Sequence, residues 1–329
     1  MPELYDVAAI GNAIVDVIAP CSEDFLVDQS LVKASMMLID EPRAEELYGA
    51  MAAGVEASGG SAANTMAGVA SLGGRAAYIG KVAADQLGEV FTHDMNAIGV
   101  RFDVAPLKGG PATARCLINV TPDGQRTMST FLGASNRLTA GDVDPKIIEA
   151  SRIVYLEGYL FDPADAREAF AKAAGLARAS SRLIALTLSD SFVVHRYRDL
   201  LKGFIDSEVD ILLANEAELT ALFETDDFGA AMKALRGRVK IAGVTRSEKG
   251  SVTLSGDAIE TVSISPVEKV VDTTGAGDQY AAGFLYGLSQ GRSLGACARL
   301  GHLAAGEVIT HYGQRPQVSL QDLAIAAGI

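Results

Sequence analysis

The stretch VVDTTGAGDQYAAGFLYGL, Val270 to Leu288, carries the most concentrated chemistry of the chain. Gly275, Ala276 and Gly277 are nearly bare of side chain and stand directly before an acid, Asp278. Glycines at a turn let a ligand approach the main chain closely. After Asp278, Tyr280, Phe284, Leu285 and Leu288 recur at helical spacing, so the run predicts a helix beginning at the bare residues. Unpaired N–H groups and the macrodipole at that end attract negative charge. An amide nest there suits the charge that builds on a phosphoryl group in transfer, and Asp278 could accept the proton of an attacking hydroxyl. The other reading of Asp278 is a helix cap, worth roughly 0.3–1 kcal/mol.

Three further stretches could meet such a centre. In GNAIVD, Asn12 and Asp16 lie in or just after a break in the first apolar run, where polar loop residues collect beyond a strand's carboxyl end. A plain turn explains the same pair. In GGSAAN, Gly60 and Ser61 open a helix, with Ser61 the N-cap candidate, and Asn64 sits one turn in. Asn is a poor helix-interior residue and asks for a partner, either a ligand hydroxyl or a buried structural contact. In ANEAEL, Asn215 and Glu218 are three apart at a strand-to-helix junction. They could organise a magnesium ion that carries phosphate, but taken alone the spacing reads better as a capping box.

Other chemistries lack their residues. His93, His195, His302 and His311 adjoin no nucleophile signature, and neither GxxxxGK[ST] nor a GxGxxG after the first strand is present. Cys21, Cys116 and Cys297 are too scattered for a disulfide framework or a zinc site, which fits a reducing cytoplasm. The opening MPELYDVAAIG is acidic where a signal peptide is basic, and no run is long and apolar enough to span a bilayer. A net charge of −13 argues against nucleic-acid or anionic-membrane partners.

These residues need elements to hold them. The 329 residues are 49% hydrophobic and 21% charged, enough for a large core. Beyond Asn136, RIVYLEGYL, RLIALTLSD, VDILLANE and VKIAGVTRS alternate with helix-length segments, the pattern of a parallel sheet covered on both faces. ATARCLINV and RTMSTFLG flank the turn TPDG and predict a hairpin. The expectation is a single α/β domain over 1–329: a doubly wound, mostly parallel sheet with helices on both faces. A small β-rich lid is drawn from segments at approximately 12–40 and 101–136.

Taken together and in order, GGSAANTMAGVASLGG (Gly59–Gly74) and DTTGAGDQYAAGF (Asp272–Phe284) resemble the two signatures of the PfkB, or ribokinase-like, family of carbohydrate and nucleoside kinases. GNAIVD, NEAE and GHLAAGEVITHYG extend the resemblance over nearly the whole chain, and within the family it is to the adenosine-kinase branch. The resemblance implies transfer of the γ-phosphoryl of ATP to an alcohol with Mg2+, and a monovalent cation such as K+ beside the anion-hole loop. It implies Asp278 as the base and Gly275, Ala276 and Gly277 as the anion hole. Arg126 is implied as a lid arginine brought to the phosphates on closing. Asn12, Asp16, Gly60, Ser61 and Asn64 are implied as contacts to the acceptor's sugar hydroxyls. Asn215 and Glu218 take the phosphate–magnesium surroundings, and Thr245, Ser247, Gly250 and Thr274 the nucleotide. Met36, Met37, Leu38, Met128 and Leu132 with Tyr159 offer an apolar surface for a flat purine. The implied reaction is phosphorylation of the 5′-hydroxyl of adenosine to AMP, in purine salvage, by a monomer or homodimer. The alternatives are a sugar kinase, a guanosine or inosine kinase, and a nucleoside-binding sensor. Two positions depart from the pattern: Thr274 stands where some adenosine kinases carry Asn, and Ser247 where Gly is usual.

Overall fold

Strands buried on both faces must be apolar almost without interruption, and the inner strands of the main sheet nearly are. In the computed structural model, which describes residues 5–329, they include β1 (Tyr5–Ile10), with the sequence YDVAAI. The strands that follow are β2 (Ile14–Pro20), β3 (Met36–Leu38), β4 (Val55–Gly59), β5 (Ala76–Ile79), β6 (Val100–Arg101), β7 (Ala114–Val120) and β8 (Arg126–Phe131). The second half supplies β9 (Ser151–Glu157), β10 (Leu183–Thr187), β11 (Ile211–Asn215), β12 (Ile241–Thr245), β13 (Ser251–Ser255) and β14 (Ala258–Val262). The main sheet has nine strands in the order β14-β13-β12-β11-β10-β9-β1-β5-β6. All its pairs are parallel except β12–β13 and β13–β14, where the turn after Thr245 and then the hairpin SVTLSGDAIETV each reverse the chain.

Helices cover both faces. Ala8 and Ile10 of β1 join one core with Phe170, Leu201, Leu219 and Met232 of four helices drawn from residues 164–235. Val7 and Ala9 point the opposite way, into a core with Met66, Phe91, Phe284 and Cys297. This second face carries the helices Ser61–Ser71, Gln86–Ala97, Ala276–Ser289 and Leu294–Val308. The strand order reverses at β1, between β9 and β5. In open α/β sheets ligands bind at such a switch point, beyond the carboxyl ends of the strands.

A five-stranded sheet, β3-β8-β7-β2-β4, forms the lid. It draws on Val55–Gly59 as well as the expected segments, and between 101 and 113 only Arg101 belongs to a strand, in the main sheet. One lid face is closed by the cluster of Val17, Leu26, Leu31, Leu47 and Leu117 beneath the helices Glu23–Asp28 and Glu41–Ala50. On the other face, Asp16, Cys116, Thr130 and Leu38 stand in register across β2, β7, β8 and β3. Alternation puts Arg126 and Met128 on that face too. Arg126 there reaches the main body, 2.8 Å from Asp272, with both side chains buried.

The three cysteines are unpaired, and no helix among the described residues is long and apolar enough to cross a membrane. Residues 1–4, which open the N-terminal stretch read above, lie outside the described residues.

Candidate active site

At the switch point the break after β1 delivers Asn12, and the end of β9 delivers Glu157. Glu157 accepts bonds from Asn12 Nδ2 at 2.9 Å and Asn12 N at 3.3 Å, and from Ala62 N at 2.9 Å. It thereby ties the break to the start of the helix Ser61–Ser71. Asn12 Oδ1 is buried without a partner, so its acceptor side is free for a donor from a ligand.

Ser61 does not cap that helix. The N-cap is Gly60 at φ 94°, a conformation that L side chains rarely adopt. The orphan N–H of Ala62 is taken by Glu157 instead, which leaves the hydroxyl of Ser61 for another task. It donates to Asp278 Oδ1 at 2.6 Å, and Asn64 Nδ2 donates to Asp278 Oδ2 at 3.2 Å. Four sequence-predicted residues thus converge: Asp278, Ser61 and Asn64 directly, and Gly60 through the turn it makes.

Asp278 lies in the first turn of the helix Ala276–Ser289, whose N-cap Gly275 is left-handed at φ 82°. A Cβ on Gly275 would lie 2.9 Å from Gln314 Cα, so the turn and the C-terminal loop fit only without it. The N–H of Ala276 is used by Thr273 O at 3.2 Å, whereas those of Gly277 and Asp278 meet no acceptor among the described residues. Gly277 has nothing within 4 Å of where a Cβ would stand. The result is an open patch of unpaired amides beside a carboxylate, able to hold an anion there.

Burial raises the acids around this cleft. It lifts Asp278 to about 6, against the hydrogen bonds of Ser61 and Asn64, which pull it down. Glu157 rises to about 7 by burial, opposed by its bonds from Ala62 and Asn12. Asp16 also rises to about 7, with Arg315 and Arg126 easing the shift and Asp278 adding to it. Glu218 reaches about 7 by burial, with Asp190 and Asp278 adding to it. A carboxyl held near neutrality is poised to exchange protons at physiological pH.

On the other side of Asp278, Asn215 and Thr245 are register partners at the ends of β11 and β12. The capping box is present. Glu218 N donates to Asn215 Oδ1 at 2.8 Å, and Glu218 accepts from Asn215 N at 3.0 Å and Asn215 Nδ2 at 2.7 Å. Ser247 holds a left-handed φ of 51°, so the backbone keeps the conformation Gly would favour even though Ser occupies it. Gly250, at φ 82°, closes this loop, its carbonyl accepting from Arg246 N at 2.7 Å. Among the described residues no cluster of three or more His, Cys, Asp or Glu could cage a metal. Both oxygens of Glu218 are committed to Asn215, so the donor set fits magnesium held by phosphate and water, with Asn215 and Glu218 in its outer surroundings.

Asp272 accepts from Thr274 N at 3.1 Å and Thr274 Oγ1 at 2.7 Å, bracing the turn, while its other oxygen faces Arg126. Arg126 also lies 5.4 Å over the Tyr312 ring, so the lid is docked on the main body. The guanidinium makes no aligned hydrogen bond, which leaves its buried N–H groups available to an anion.

For Met37 the structure corrects the expectation. It pairs with Ser129 and packs on the lid's own cluster, the face turned away from Asp16. Met36, paired with Met128, shares the Asp16 face. Leu132 is half-buried just past the end of β8, and Tyr159 is half-buried in the turn after Glu157.

The sequence reading missed Glu157, Gln279, Gln314 and Arg315. Gln279 Nε2 donates to the carbonyls of Asn64 and Gln314, both at 3.0 Å, locking the two motif helices together. Only Glu157 had a signal: an acid ending an otherwise apolar strand.

A doubly wound core, a lid bearing an arginine, and an acid beside unpaired helix-start amides define a phosphoryl-transfer enzyme that acts on an alcohol. The chain belongs to the pfkB family of carbohydrate kinases, whose family model matches residues 6–320, and it is an ATP-dependent kinase. An adenosine kinase from Sinorhizobium meliloti has a solved structure that superposes with a TM-score of 0.91 at 55% identity, covering 98% of this chain and 99% of that one. A probable sugar kinase from Rhizobium etli CFN 42 gives 0.92 at 50% identity, covering 99% of each. The adenosine kinase of Saccharomyces cerevisiae is 26% identical, over 92% of this chain and 94% of its own.

Proposed function

We propose that this kinase phosphorylates the 5′-hydroxyl of adenosine, giving AMP and ADP, as in purine salvage. The observation that carries the reading is Asp278, a carboxylate oriented by Ser61 and Asn64 and set against unpaired amides. In this reading Asn12 and Asp16 take the ribose hydroxyls, and Met36, Met128, Leu132 and Tyr159 flank the base. Asp278 accepts the proton of the 5′-hydroxyl as its oxygen attacks the γ-phosphorus. The amides of Gly277 and Asp278 and the guanidinium of Arg126 stabilise the charge that develops on the transferring group. Asn215, Thr245, Ser247, Gly250 and Thr274 border the nucleotide. Magnesium bound with ATP would supply further neutralisation of the phosphates, held near Asn215 and Glu218. The lid face, docked on the body, excludes water from the transfer.

The similarity to the Sinorhizobium meliloti adenosine kinase supports this acceptor, and that to the Rhizobium etli probable sugar kinase supports the second reading, a sugar acceptor. ADP release with Mg-ATP across adenosine, guanosine, inosine, ribose, fructose and 2-keto-3-deoxygluconate separates them, and repeating it with and without K+ tests activation by a monovalent cation. Adenosine is expected to lead by orders of magnitude in kcat/KM. A bare sugar in the lead overturns the proposal while leaving the family in place.

A further inference from the structure

We infer that Arg315, in the loop after the helix Leu294–Val308, is a positioning residue for acceptor recognition: it fixes the amide of Asn64 and favours the charged form of Asp16, so that the site selects a ribose bearing its vicinal 2′,3′-hydroxyls. The inference deepens the proposed function and rests on its reading of Asp16 as the group that takes those hydroxyls.

The first part follows from donor chemistry. Arg315 Nε donates to Asn64 Oδ1 at 3.2 Å, and Arg315 Nη1 donates to Ser58 Oγ at 2.6 Å. A guanidinium has donors only, so the amide of Asn64 must turn its oxygen to Arg315 and its NH2 the other way. That NH2 then meets two acceptors, Gln314 Oε1 at 2.6 Å and Asp278 Oδ2 at 3.2 Å. Without Arg315 the flipped amide would set its oxygen against Asp278, acceptor facing acceptor. The dipeptide Gln314–Arg315 therefore decides which end of Asn64 faces the reacting centre.

The second part follows from what surrounds Asp16. Asp16 is buried, yet no donor among the described residues hydrogen-bonds its carboxylate. A buried carboxylate so placed costs stability unless charges nearby compensate it or a ligand supplies the donors. The charges facing it are Arg315 from the C-terminal loop and Arg126 from β8, with Asp278 opposing. Cys116 is its register partner on β7, and Asp94 and Tyr78 lie near Arg315. Arg126, on the same lid sheet, lies 2.8 Å from Asp272, whereas Arg315 bonds both Asn64 of the main body and Ser58 of β4, the strand paired with β2. Arg315 is thus the compensating charge that the C-terminal loop sets against Asp16 at the junction of lid and main body. A charged Asp16 presents two oxygens to two adjacent hydroxyl donors; a protonated one loses half of that match.

The test is kcat/KM for adenosine and for 2′-deoxyadenosine in the wild type, Arg315→Gln, Arg315→Lys and Asp16→Asn. Arg315→Gln should lower the adenosine value by about 10- to 100-fold, the usual worth of a hydrogen bond to a charged group, mainly through KM. The value for 2′-deoxyadenosine should fall much less, so discrimination shrinks. Asp16→Asn should shrink discrimination to the same extent, and the double variant should lose no more. Arg315→Lys, which keeps the charge, should restore most of it. In Arg315→Gln the rise of the adenosine KM on acidification should also begin at higher pH than in the wild type. Equal losses with both acceptors, an unmoved KM–pH limb, or additive effects in the double variant overturn the role of Arg315. A wild type that does not prefer adenosine to 2′-deoxyadenosine overturns the reading of Asp16 itself, and the inference with it.

Discussion

Removing the hydroxyl of Ser61 should move the pH at which the enzyme switches on. Asp278 stands at about 6 because burial disfavours its charge and two hydrogen bonds partly offset that cost. The bond from Ser61 Oγ is the shorter, 2.6 Å against 3.2 Å from Asn64. A hydrogen bond to a charged group is worth about 1.5–3 kcal/mol, and one pKa unit is about 1.4 kcal/mol. In Ser61→Ala, water entering the vacated space recovers part of this, so an upward shift of about one unit is expected. The base must be ionised to act, so the acid limb of the rate should move from near pH 6 to near pH 7. The loss at pH 6.5 should then exceed that at pH 9 by roughly threefold. The assay is kcat at saturating adenosine and Mg-ATP between pH 5 and 9, which follows Asp278 in the complex and leaves out the limb that Asp16 puts into KM. If Ser61 also touches the acceptor, its loss lowers the whole profile without moving the limb, so the two effects separate. A limb that stays in place, or moves to lower pH, refutes the role given to this hydrogen bond.

Two glycines of the anion-hole turn should respond in opposite ways. Gly275→Ala meets both a left-handed φ and a contact 2.9 Å from Gln314 Cα, so it should cost about 1–3 kcal/mol of stability in urea unfolding. Gly277→Ala has nothing within 4 Å and sits in a helix, so it should gain about 0.5–1 kcal/mol yet lower kcat by about tenfold as its methyl enters the anion patch. Full activity in Gly277→Ala contradicts the assignment of that patch. The raised acids also predict how stability depends on pH. Asp16, Glu157 and Glu218 stand at about 7 and Asp278 at about 6 when folded, against about 4 when unfolded. The folded state therefore binds more protons between these values, and its stabilisation, full below about pH 4, is lost as pH rises to about 7. The ligand-free Tm should be higher at pH 5 than at pH 8; a flat or rising profile contradicts the burial of these groups.

What could be read from the sequence was local or periodic. The strand–helix alternation after Asn136 specifies a parallel sheet because a crossover helix must follow each such strand. The cluster around Asp278 was legible because glycines, an acid and a helix start are adjacent in the chain. Ser61 was misread as a cap since its true partner, Asp278, is 217 residues away. Met37 failed for a different reason. Side chains alternate along a strand, so a register error of one residue moves every side chain to the opposite face, and nothing local told whether Met36 or Met37 looks at Asp16. Gln314 and Arg315 had no signal at all, because an exposed-looking loop became part of the site only through contacts with residues distant in the chain, among them 58, 64, 275 and 279. For the pair Asn215–Glu218 the capping box, the reading its spacing favoured, forms, and the place beside the nucleotide that the resemblance implied is kept as part of the proposed function.

The central claim is that Asp278 takes the proton of the acceptor hydroxyl, and Asp278→Asn tests it most directly. The variant keeps the size of the side chain and an oxygen for the donor of Ser61 or Asn64, so the fold and adenosine binding should survive. With saturating Mg-ATP and adenosine, kcat should fall by roughly 10²–10⁴, the usual worth of a positioned base. A loss of less than about tenfold, with adenosine still bound, would contradict the account.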